Sequence, residues 1–304
     1  MKTLSREHLF YAFDSCLEPA LTVETGEEFC LQTCDCFEDQ LQSETDTLDA
    51  LDWERINPAT GPVAIKGVKA GDLLCIDIRK LEVAGRATMA VLPGEGALGA
   101  HLTRAETTIL ENSAGNVILP VSGGAVKISA RPMLGVIGVA PAEGAVANGT
   151  PGEHGGNMDC TLIGQGARLY LRANTDGALF GCGDAHSVMG DGEVLICGAE
   201  TPAEATLSVT VIDEPCLPTP LVENDQLIAV IASAGSTDEA YQLACDKMLH
   251  FLTKVVGVEE NDAGRLMSLV GDLKFCQVVD PQVTVRFEFP QEILTQLGFT
   301  GLNS

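Results

Sequence analysis

The sequence is poor in basic residues. Lysine and arginine together number 18 against 43 acidic residues, so the formal net charge is −25 and the isoelectric point is about 4.3. Proteins bind the phosphates of nucleic acids mainly through lysine and arginine. The composition therefore excludes nucleic acid as a partner. It indicates a solvated acidic surface, on which clustered carboxylates could recruit divalent cations.

The sequence also lacks a long hydrophobic run. No segment approaches the roughly 18 apolar residues of a membrane span, and residues 1–8 contain no apolar signal core. We therefore predict a cytoplasmic protein with no membrane partner. The eleven cysteines agree with a reducing compartment, because their number is odd and many lie within apolar runs. Cys34 and Cys36 have no second cysteine pair, so they are a weak zinc signal.

Aromatic residues are scarce at 5%, whereas 32 glycines and 14 prolines are spread through the chain. This composition is typical of many short strands joined by turns. We predict a β-dominated α+β fold, with a β-sandwich-like core and a smaller C-terminal α+β portion. A chain of 304 residues can form one large domain or two. We place a β-rich domain with the catalytic motifs at residues 1–225, and the α+β portion, packed on it, at residues 226–304.

Local patterns support this division. Apolar or alternating runs predict strands over residues 73–78, 117–119, 126–128, 133–139, 168–172, 194–197, 206–212, 227–232 and 283–289. The pattern becomes helical after Ser236, which has the form of a capping box with Glu239. Apolar residues then recur at helical spacing as far as Val255, and a second helix is predicted over residues 261–270.

Two polar, glycine-rich clusters are the most unusual segments of the chain. The first places two carboxylates, a histidine and a carboxamide around a glycine pair, in Glu153-His154-Gly155-Gly156-Asn157-Met158-Asp159. The second consists of Gly183-Asp184-Ala185-His186 and Gly190-Asp191-Gly192-Glu193. Glycine tolerates positive φ angles and a close approach of the backbone to a ligand. The predicted strands at 168–172 and 194–197 bracket the second cluster, so both clusters could meet at one end of a sandwich.

With these clusters the sequence resembles the acetamidase/formamidase family of amide hydrolases. Further matching segments are Asn57-Pro58-Ala59-Thr60-Gly61-Pro62, Gly71-Asp72, residues 133–141, Gly177-Ala178-Leu179-Phe180 and Val278-Val279-Asp280-Pro281. The resemblance covers nearly the whole chain. It implies a cytoplasmic, β-rich, metal-dependent amidase that forms a homodimer or a larger homo-oligomer. The predicted function is hydrolysis of short aliphatic amides, of the acetamide or formamide class, to a carboxylate and ammonia.

Hydrolysis of an unactivated amide needs an electrophile, a strong nucleophile and a proton donor for the departing amine. A divalent ion that binds water supplies the first two. The clusters offer nitrogen and oxygen ligands that suit zinc, with calcium possible. The predicted metal ligands are Asp35, Asp159 and His186, with His154 as a further candidate. Turn capping is an equal alternative for Asp35, although the resemblance, in which Thr-x-Asp is usual there, favours function.

The predicted catalytic residues are Glu193, Asn157, Glu153 and Asp184. Glu193 is the expected general base on the bound water. The side chain of Asn157 and the backbone N–H groups of Gly155 and Gly156 could donate to the developing oxyanion. A turn role for Asn157 is an equal alternative. Glu153 is expected beside the ligands rather than among them.

Other interpretations are less favoured. Cys160 and Cys182 lie beside the clusters, but no Cys-His-Asn arrangement emerges, so we predict a packing role. No G-x-S-x-G sequence marks a serine nucleophile, and His101 is expected at the surface. Met189 stands where many members of the family carry glutamine, which leaves the substrate preference open. The rival function is a non-catalytic β-sandwich whose acids hold a structural cation such as calcium.

Overall fold

The computed structural model describes residues 1–302, and strands dominate this part of the chain. In chain order the strands are β1 (Lys2–Leu4), β2 (Leu9–Phe10), β3 (Ala12–Asp14), β4 (Leu21–Glu24), β5 (Phe29–Thr33), β6 (Ala59–Lys66), β7 (Leu73–Val83), β8 (Arg86–Val91), β9 (Glu106–Ser113), β10 (Asn116–Val121), β11 (Gly124–Ser129), β12 (Met133–Gly138), β13 (Ala145–Ala147), β14 (Gly155–Asn157), β15 (Arg168–Arg172), β16 (Phe180–His186), β17 (Glu200–Thr201), β18 (Ala203–Ile212), β19 (Leu221–Glu223), β20 (Leu227–Ala234), β21 (Asp272–Gln277) and β22 (Val283–Pro290). Each predicted strand overlaps one of these, except the strand at 194–197.

The α-helices of the described residues lie near the C-terminus: α1 (Thr237–His250), α2 (Glu260–Val270) and α3 (Gln291–Gln296). A π-helical segment, Phe251–Val256, continues α1, and 3₁₀ turns occupy Leu48–Ala50, Trp53–Arg55 and Gly99–His101. The Ser236 hydroxyl accepts a hydrogen bond from the Glu239 N–H at 3.3 Å, so the predicted cap begins the helix. Within residues 1–302, no helix combines the length and apolarity needed to cross a membrane.

Two large sheets pack face to face. One has nine strands in the order β1-β5-β18-β7-β15-β19-β20-β22-β21. The other has eleven, in the order β11-β10-β9-β8-β17-β16-β12-β14, with β6 pairing to β16, β2 and β4; β13 and β3 form a separate pair. Apolar side chains of both sheets, such as Ile76 of β7 and Ile137 of β12, form the main core. The predicted β-dominated α+β fold is confirmed.

The C-terminal strands extend the nine-stranded sheet. β20 pairs with β19, and β22 and β21 continue the sheet to its edge. Helix α1 covers this end of the sheet and buries Ala240, Ala244 and Met248 in a second core. The predicted boundary at residue 225 therefore falls between two neighbouring strands of one sheet. The division into two domains stays a prediction.

The strand predicted over residues 194–197 is wrong. This segment belongs to the loop at residues 187–199, between β16 and β17. Val194 is 48% exposed, whereas Cys197 is buried in a small core, where its Sγ accepts a hydrogen bond from the Ala90 N–H at 3.1 Å. The apolar run therefore reflects side-chain packing and not pairing in a sheet. The polar segment 183–186 lies within the fully buried strand β16, not beside one.

Strand β12 brings the two polar clusters together. It lies between β14, which ends at Asn157, and β16, which ends at His186. In this register Val136 is paired with Asn157 on one side and with Gly183 on the other. On the far side of β16, Glu200 of β17 is paired with His186. Residues that are distant in sequence thus lie on adjacent strands.

Candidate active site

A glycine in β12 lets two carboxylates meet over the sheet. A Cβ atom at Gly135 would lie 2.3 Å from Asp159 Oδ1 and 2.7 Å from Asp184 Oδ2, so no other residue fits there without displacing a carboxylate. Asp159 and Asp184 themselves have positive φ angles, 45° and 50°. Such angles are uncommon outside glycine and cost free energy. The backbone holds both carboxylates in place at that cost, which is typical of functional sites.

The imidazole of His186 faces three carboxylates. Its Nε2 lies 2.8 Å from Glu200 Oε1, 3.4 Å from Glu193 Oε1 and 3.9 Å from Asp159 Oδ1, and all four side chains are buried. Glu193 reaches this place through a tight turn, in which its N–H donates to the Gly190 carbonyl at 3.1 Å. The structure therefore brings together three of the residues singled out in the sequence, His186, Glu193 and Asp159.

These three residues have the geometry of a metal site. Asp159, His186 and Glu193 each present one ligand atom, and these atoms all lie within 4.8 Å of one another. Neither oxygen of Asp159 accepts a hydrogen bond from a donor within residues 1–302, although the side chain is fully buried. A buried carboxylate without a donor is costly unless a cation compensates it. The donor set therefore fits a divalent ion.

A second group of possible ligands lies beside the first. Cys36, Asp184 and Glu200 each present an atom within 4.8 Å of the others, and all three are buried. Burial and the charge of Glu200 raise the pKa of Asp184 well above its usual value. The two groups are joined by the contact between Glu200 and His186.

Burial and mutual repulsion shift the pKa values of this centre. Burial and the charges of Glu193 and Asp184 raise the pKa of Asp159 well above that of an ordinary aspartate. Burial opposes a charge on His186, but the charges of Glu200 and Asp184 outweigh it and raise the pKa of the imidazole. So many acids in one buried place attract a cation, which would draw protons off the carboxylates as it binds.

Asp35 is buried near this centre, but it caps a turn. Its Oδ1 accepts hydrogen bonds from the N–H groups of Phe37 at 3.0 Å and Asp39 at 2.7 Å. Its Oδ2 has no donor within residues 1–302. Burial raises the pKa of Asp35 to about 7. Asp35 is in neither group of converging atoms, so its role as a ligand stays a prediction and the turn-capping alternative describes what its Oδ1 does.

The predicted oxyanion donors have acceptors within the protein. Asn157 Nδ2 donates to Asp280 Oδ2 at 2.9 Å, and the Gly155 N–H donates to the Gly152 carbonyl at 3.1 Å. Gly156 is paired with Ile137 in the sheet. This arrangement gives Asn157 the task of holding Asp280 beside the centre.

Glu153 and His154 have their contacts outside the group of converging atoms. The side chain of Glu153 is 67% exposed, and its Oε1 lies 2.6 Å from Lys247 Nζ on α1. The ring of His154 packs edge-on against Phe13 with centroids 5.4 Å apart, and burial lowers the pKa of His154 to about 4. Neither residue joins the two groups of possible ligands. Glu153 instead links the first polar cluster to helix α1.

Comparison with known proteins identifies the chain. The model of the acetamidase/formamidase family matches residues 5–148 and 142–296. The chain belongs to the acetamidase/formamidase family. The resemblance inferred from the two polar clusters is thereby confirmed, and with it the enzyme class, an amidase. The rival prediction of a non-catalytic β-sandwich gains no support.

Solved structures share the whole fold of this acetamidase/formamidase chain. An acetamidase from Bacillus halodurans is 38% identical, with 97% of this chain and 99% of that chain covered and a TM-score of 0.94. A predicted acetamidase/formamidase from Thermoanaerobacter tengcongensis is 40% identical, with 99% of both chains covered and the same TM-score. A protein of Schizosaccharomyces pombe named "Putative formamidase" is 24% identical over 238 residues, and the match spans 59% of this chain and 58% of that relative's length.

Three residues of the centre were not predicted from the sequence. Glu200 carries no local motif, and only its pairing with His186 across β16 and β17 would have revealed it. Asp280 lies in the Val-Val-Asp-Pro segment that supported the family resemblance, so the sequence did contain a signal for it. Cys36 forms only a weak zinc signal in the sequence, because no second cysteine pair accompanies Cys34 and Cys36. Its partners in the structure are carboxylates instead.

The remaining predictions concern residues around the centre. Cys160 and Cys182 are fully buried, and both pack in the main core, as the predicted packing role requires. His101 is exposed, as predicted. Met189 is 5% exposed and lies beside the Gly198 backbone, on which the ring of His186 also rests.

Proposed function

We propose that this protein hydrolyses short aliphatic amides, of the formamide and acetamide class, with the help of a bound divalent ion, for which zinc is the best candidate. The observation that carries the proposal is the fully buried Asp159, whose oxygens meet no donor within residues 1–302 although His186 and Glu193 lie beside them. Family membership supports the amide as substrate.

The three converging residues divide into two roles. Asp159 and His186 are the proposed ligands. Glu193 is the proposed general base, because it also lines a cavity through which a substrate can approach. A bound divalent ion polarises a carbonyl oxygen and lowers the pKa of water. Glu193 accepts the proton of the attacking water on a carboxylate oxygen and returns it to the departing amine.

The surrounding acids act through these residues. Glu200 lies 2.8 Å from His186 Nε2, the ring nitrogen that also faces Asp159 and Glu193, so its carboxylate would lie beside a bound ion and not behind the imidazole. Asp184 presents an atom within 4.8 Å of Glu200 and does not belong to the group of Asp159, His186 and Glu193. Asn157 holds Asp280 at 2.9 Å, next to the ligand Asp159. These contacts support positioning roles for the predicted catalytic residues Asp184 and Asn157.

Metal content and turnover test the proposal together. Dialysis against a chelator should abolish hydrolysis of acetamide, and added zinc should restore it. Asp159→Asn should lose both the metal and the turnover. Asp176→Asn, which alters a carboxylate that is 66% exposed, should keep both. Full activity in a metal-free preparation would refute the metal-dependent mechanism.

We further propose a cytoplasmic homo-oligomer. All eleven cysteines are free, which suits a reducing compartment. The β-hairpin of β10 and β11 exposes Val121 and Val126, apolar side chains that an interface between subunits would cover. Light scattering on the purified protein tests the assembly. A monomer at all accessible concentrations would contradict it.

A further inference from the structure

An apolar cavity adjoins the proposed catalytic centre. Its volume is about 400 Å³, and it lies between the antiparallel strands β8 to β11 and the loop at residues 187–199. Its wall includes Met89 of β8, Leu110 of β9 and Leu119 of β10, together with Met189, Glu193 and Gly198 of the loop. A volume above roughly 300 Å³ is typical of sites for ligands much larger than formamide or acetamide.

The chemistry of the wall selects an uncharged, apolar group. Aliphatic and thioether side chains from four different strands and from the loop face one another across the cavity. The wall contains three charged residues: Asp191 is bound in an ion pair with Arg286, Glu193 belongs to the proposed centre, and Arg131 is exposed to solvent. Such a surface gains free energy when an apolar chain displaces water from it, and it offers little to a polar one.

The cavity is continuous with the residues that would perform the reaction. Glu193 belongs both to its wall and to the group of converging ligand atoms. Gly198 separates the cavity from the ring of His186 without a side chain, because a Cβ there would lie 2.5 Å from His186 Cδ2. Met189 is buried directly beside Gly198. An acyl chain in the cavity could therefore have its carbonyl carbon at the centre.

We propose that this cavity binds the acyl chain of the substrate, so that the enzyme prefers amides of longer aliphatic acids to formamide and acetamide. The inference rests on the proposed function and specifies its substrate class. Formamide and acetamide leave most of the cavity filled with water, whereas butyramide and hexanamide replace that water with methylene groups. Met189 is the specificity-determining residue, because its buried side chain lines the cavity beside Gly198, next to the ring of His186.

Turnover of a series of amides by the zinc-loaded enzyme tests the inference. The value of kcat/KM should rise roughly fourfold for each added methylene group, which corresponds to about 0.8 kcal/mol of apolar burial. Hexanamide has four more methylene groups than acetamide, so its kcat/KM should be higher by roughly 250-fold. If acetamide is hydrolysed and kcat/KM is flat or falls with chain length, the inference is overturned while the proposed function stands. If no amide of the series is hydrolysed, the proposed function fails, and the inference fails with it.

Variants of the wall locate the effect. Met189→Gln should reduce the preference for hexanamide over acetamide at least tenfold. The acyl chain of hexanamide would displace water from the glutamine side chain without replacing its hydrogen bonds. Met267→Gln makes the same change on α2, outside the cavity, and should leave the preference unchanged. Leu119→Trp fills the cavity from β10 and should lower kcat/KM for hexanamide at least tenfold more than kcat/KM for acetamide. Equal effects on both amides would contradict binding of the acyl chain there.

A binding measurement removes the dependence on turnover. Calorimetry on metal-loaded Glu193→Gln, in which the proposed base is disabled, should show hexanamide binding more tightly than butyramide, and butyramide more tightly than acetamide. Leu119→Trp in the same background should remove this order. An order that is absent from Glu193→Gln, or unaffected by Leu119→Trp, would overturn the assignment of the cavity.

Discussion

Replacing Arg286 by methionine should both destabilise the protein and slow its turnover. Arg286 is 2% exposed and lies on β22. Its Nη1 and Nη2 donate to the two oxygens of Asp191 at 2.9 and 2.6 Å, and its Nε donates to Glu288 at 2.7 Å. Asp191 belongs to the tight turn that presents Glu193. The guanidinium therefore fixes the turn of the proposed base to the C-terminal sheet.

The expected loss in the free energy of unfolding follows from the carboxylates that Arg286→Met leaves without the guanidinium. Removing one partner of a buried ion pair costs about 3–5 kcal/mol, because the other charge stays buried. The lower end applies here, since Glu288 keeps Lys274 at 2.6 Å, and Asp191 is 38% exposed and keeps the Thr161 hydroxyl at 2.7 Å. We expect Arg286→Met to lower the free energy of unfolding by about 3 kcal/mol.

A conservative variant separates position from charge. Arg286→Lys keeps the charge but cannot bind both oxygens of Asp191 in parallel. The turn should shift, and kcat for acetamide should fall roughly tenfold or more while KM changes little, because a misplaced base costs rate more than binding. Arg265→Met, which breaks the exposed pair with Asp262 on α2, is the matched control and should cost less than about 1 kcal/mol.

Denaturant unfolding, kcat and KM should be measured on all three variants, with metal content as a check that the ligands remain intact. If Arg286→Met has the same denaturant midpoint of unfolding as wild type, the predicted loss of stability is refuted. Arg286→Lys with the wild-type kcat would refute the positioning of Glu193 through the turn.

Three further predictions concern the centre and its surroundings. Glu193→Gln should keep the metal and lose turnover by roughly 10²–10⁴, the usual contribution of a general base, whereas His186→Ala should lose the metal as well; a near-normal rate in the first or retained metal in the second would contradict these roles. The double variant Cys160→Ala, Cys182→Ala should keep most of the turnover, and a thioester trapped on the unmodified protein would instead favour a cysteine nucleophile. Because burial lowers the pKa of His154 from 6.5 to about 4, the unfolded chain binds the extra proton between these values, and stability should fall as the pH drops from 6.5 towards 4. His154→Gln should remove this loss, on the order of 3 kcal/mol, while keeping the metal. The free energy of unfolding should be measured at neutral and at acidic pH; if it falls as much in His154→Gln as in wild type, the assignment is refuted.

Helices α1 and α2 are predictable from sequence because their signals are local. Ser236 and Glu239 form the cap within one turn, and apolar residues repeat along one face of α1. The segment 194–197 misleads for the same reason. Its apolar run is a local signal too, but its partners in the small core and the cavity come from distant strands. A single sequence does not contain that information.

The site is predictable only where chemistry and spacing coincide. Asp159, His186 and Glu193 lie in glycine-rich motifs whose tight turns and polar density indicate a functional place. The nearness of Glu200 to His186 depends on the register of β16 and β17, which no motif specifies. Asp280 reaches Asn157 from beyond β21, at the other end of the chain. Long-range pairing of strands decides these contacts, so they require the structure.

The contacts between the two ends of the chain have a consequence for its synthesis. Three side-chain contacts join the polar clusters to residues beyond 225, namely Lys247 to Glu153, Asp280 to Asn157 and Arg286 to Asp191. When residues 1–225 have been synthesised, the nascent chain contains every proposed metal ligand but none of these three partners. We expect the nascent chain to lack amidase activity until β22 has joined the sheet. The activity should therefore appear only when translation is complete.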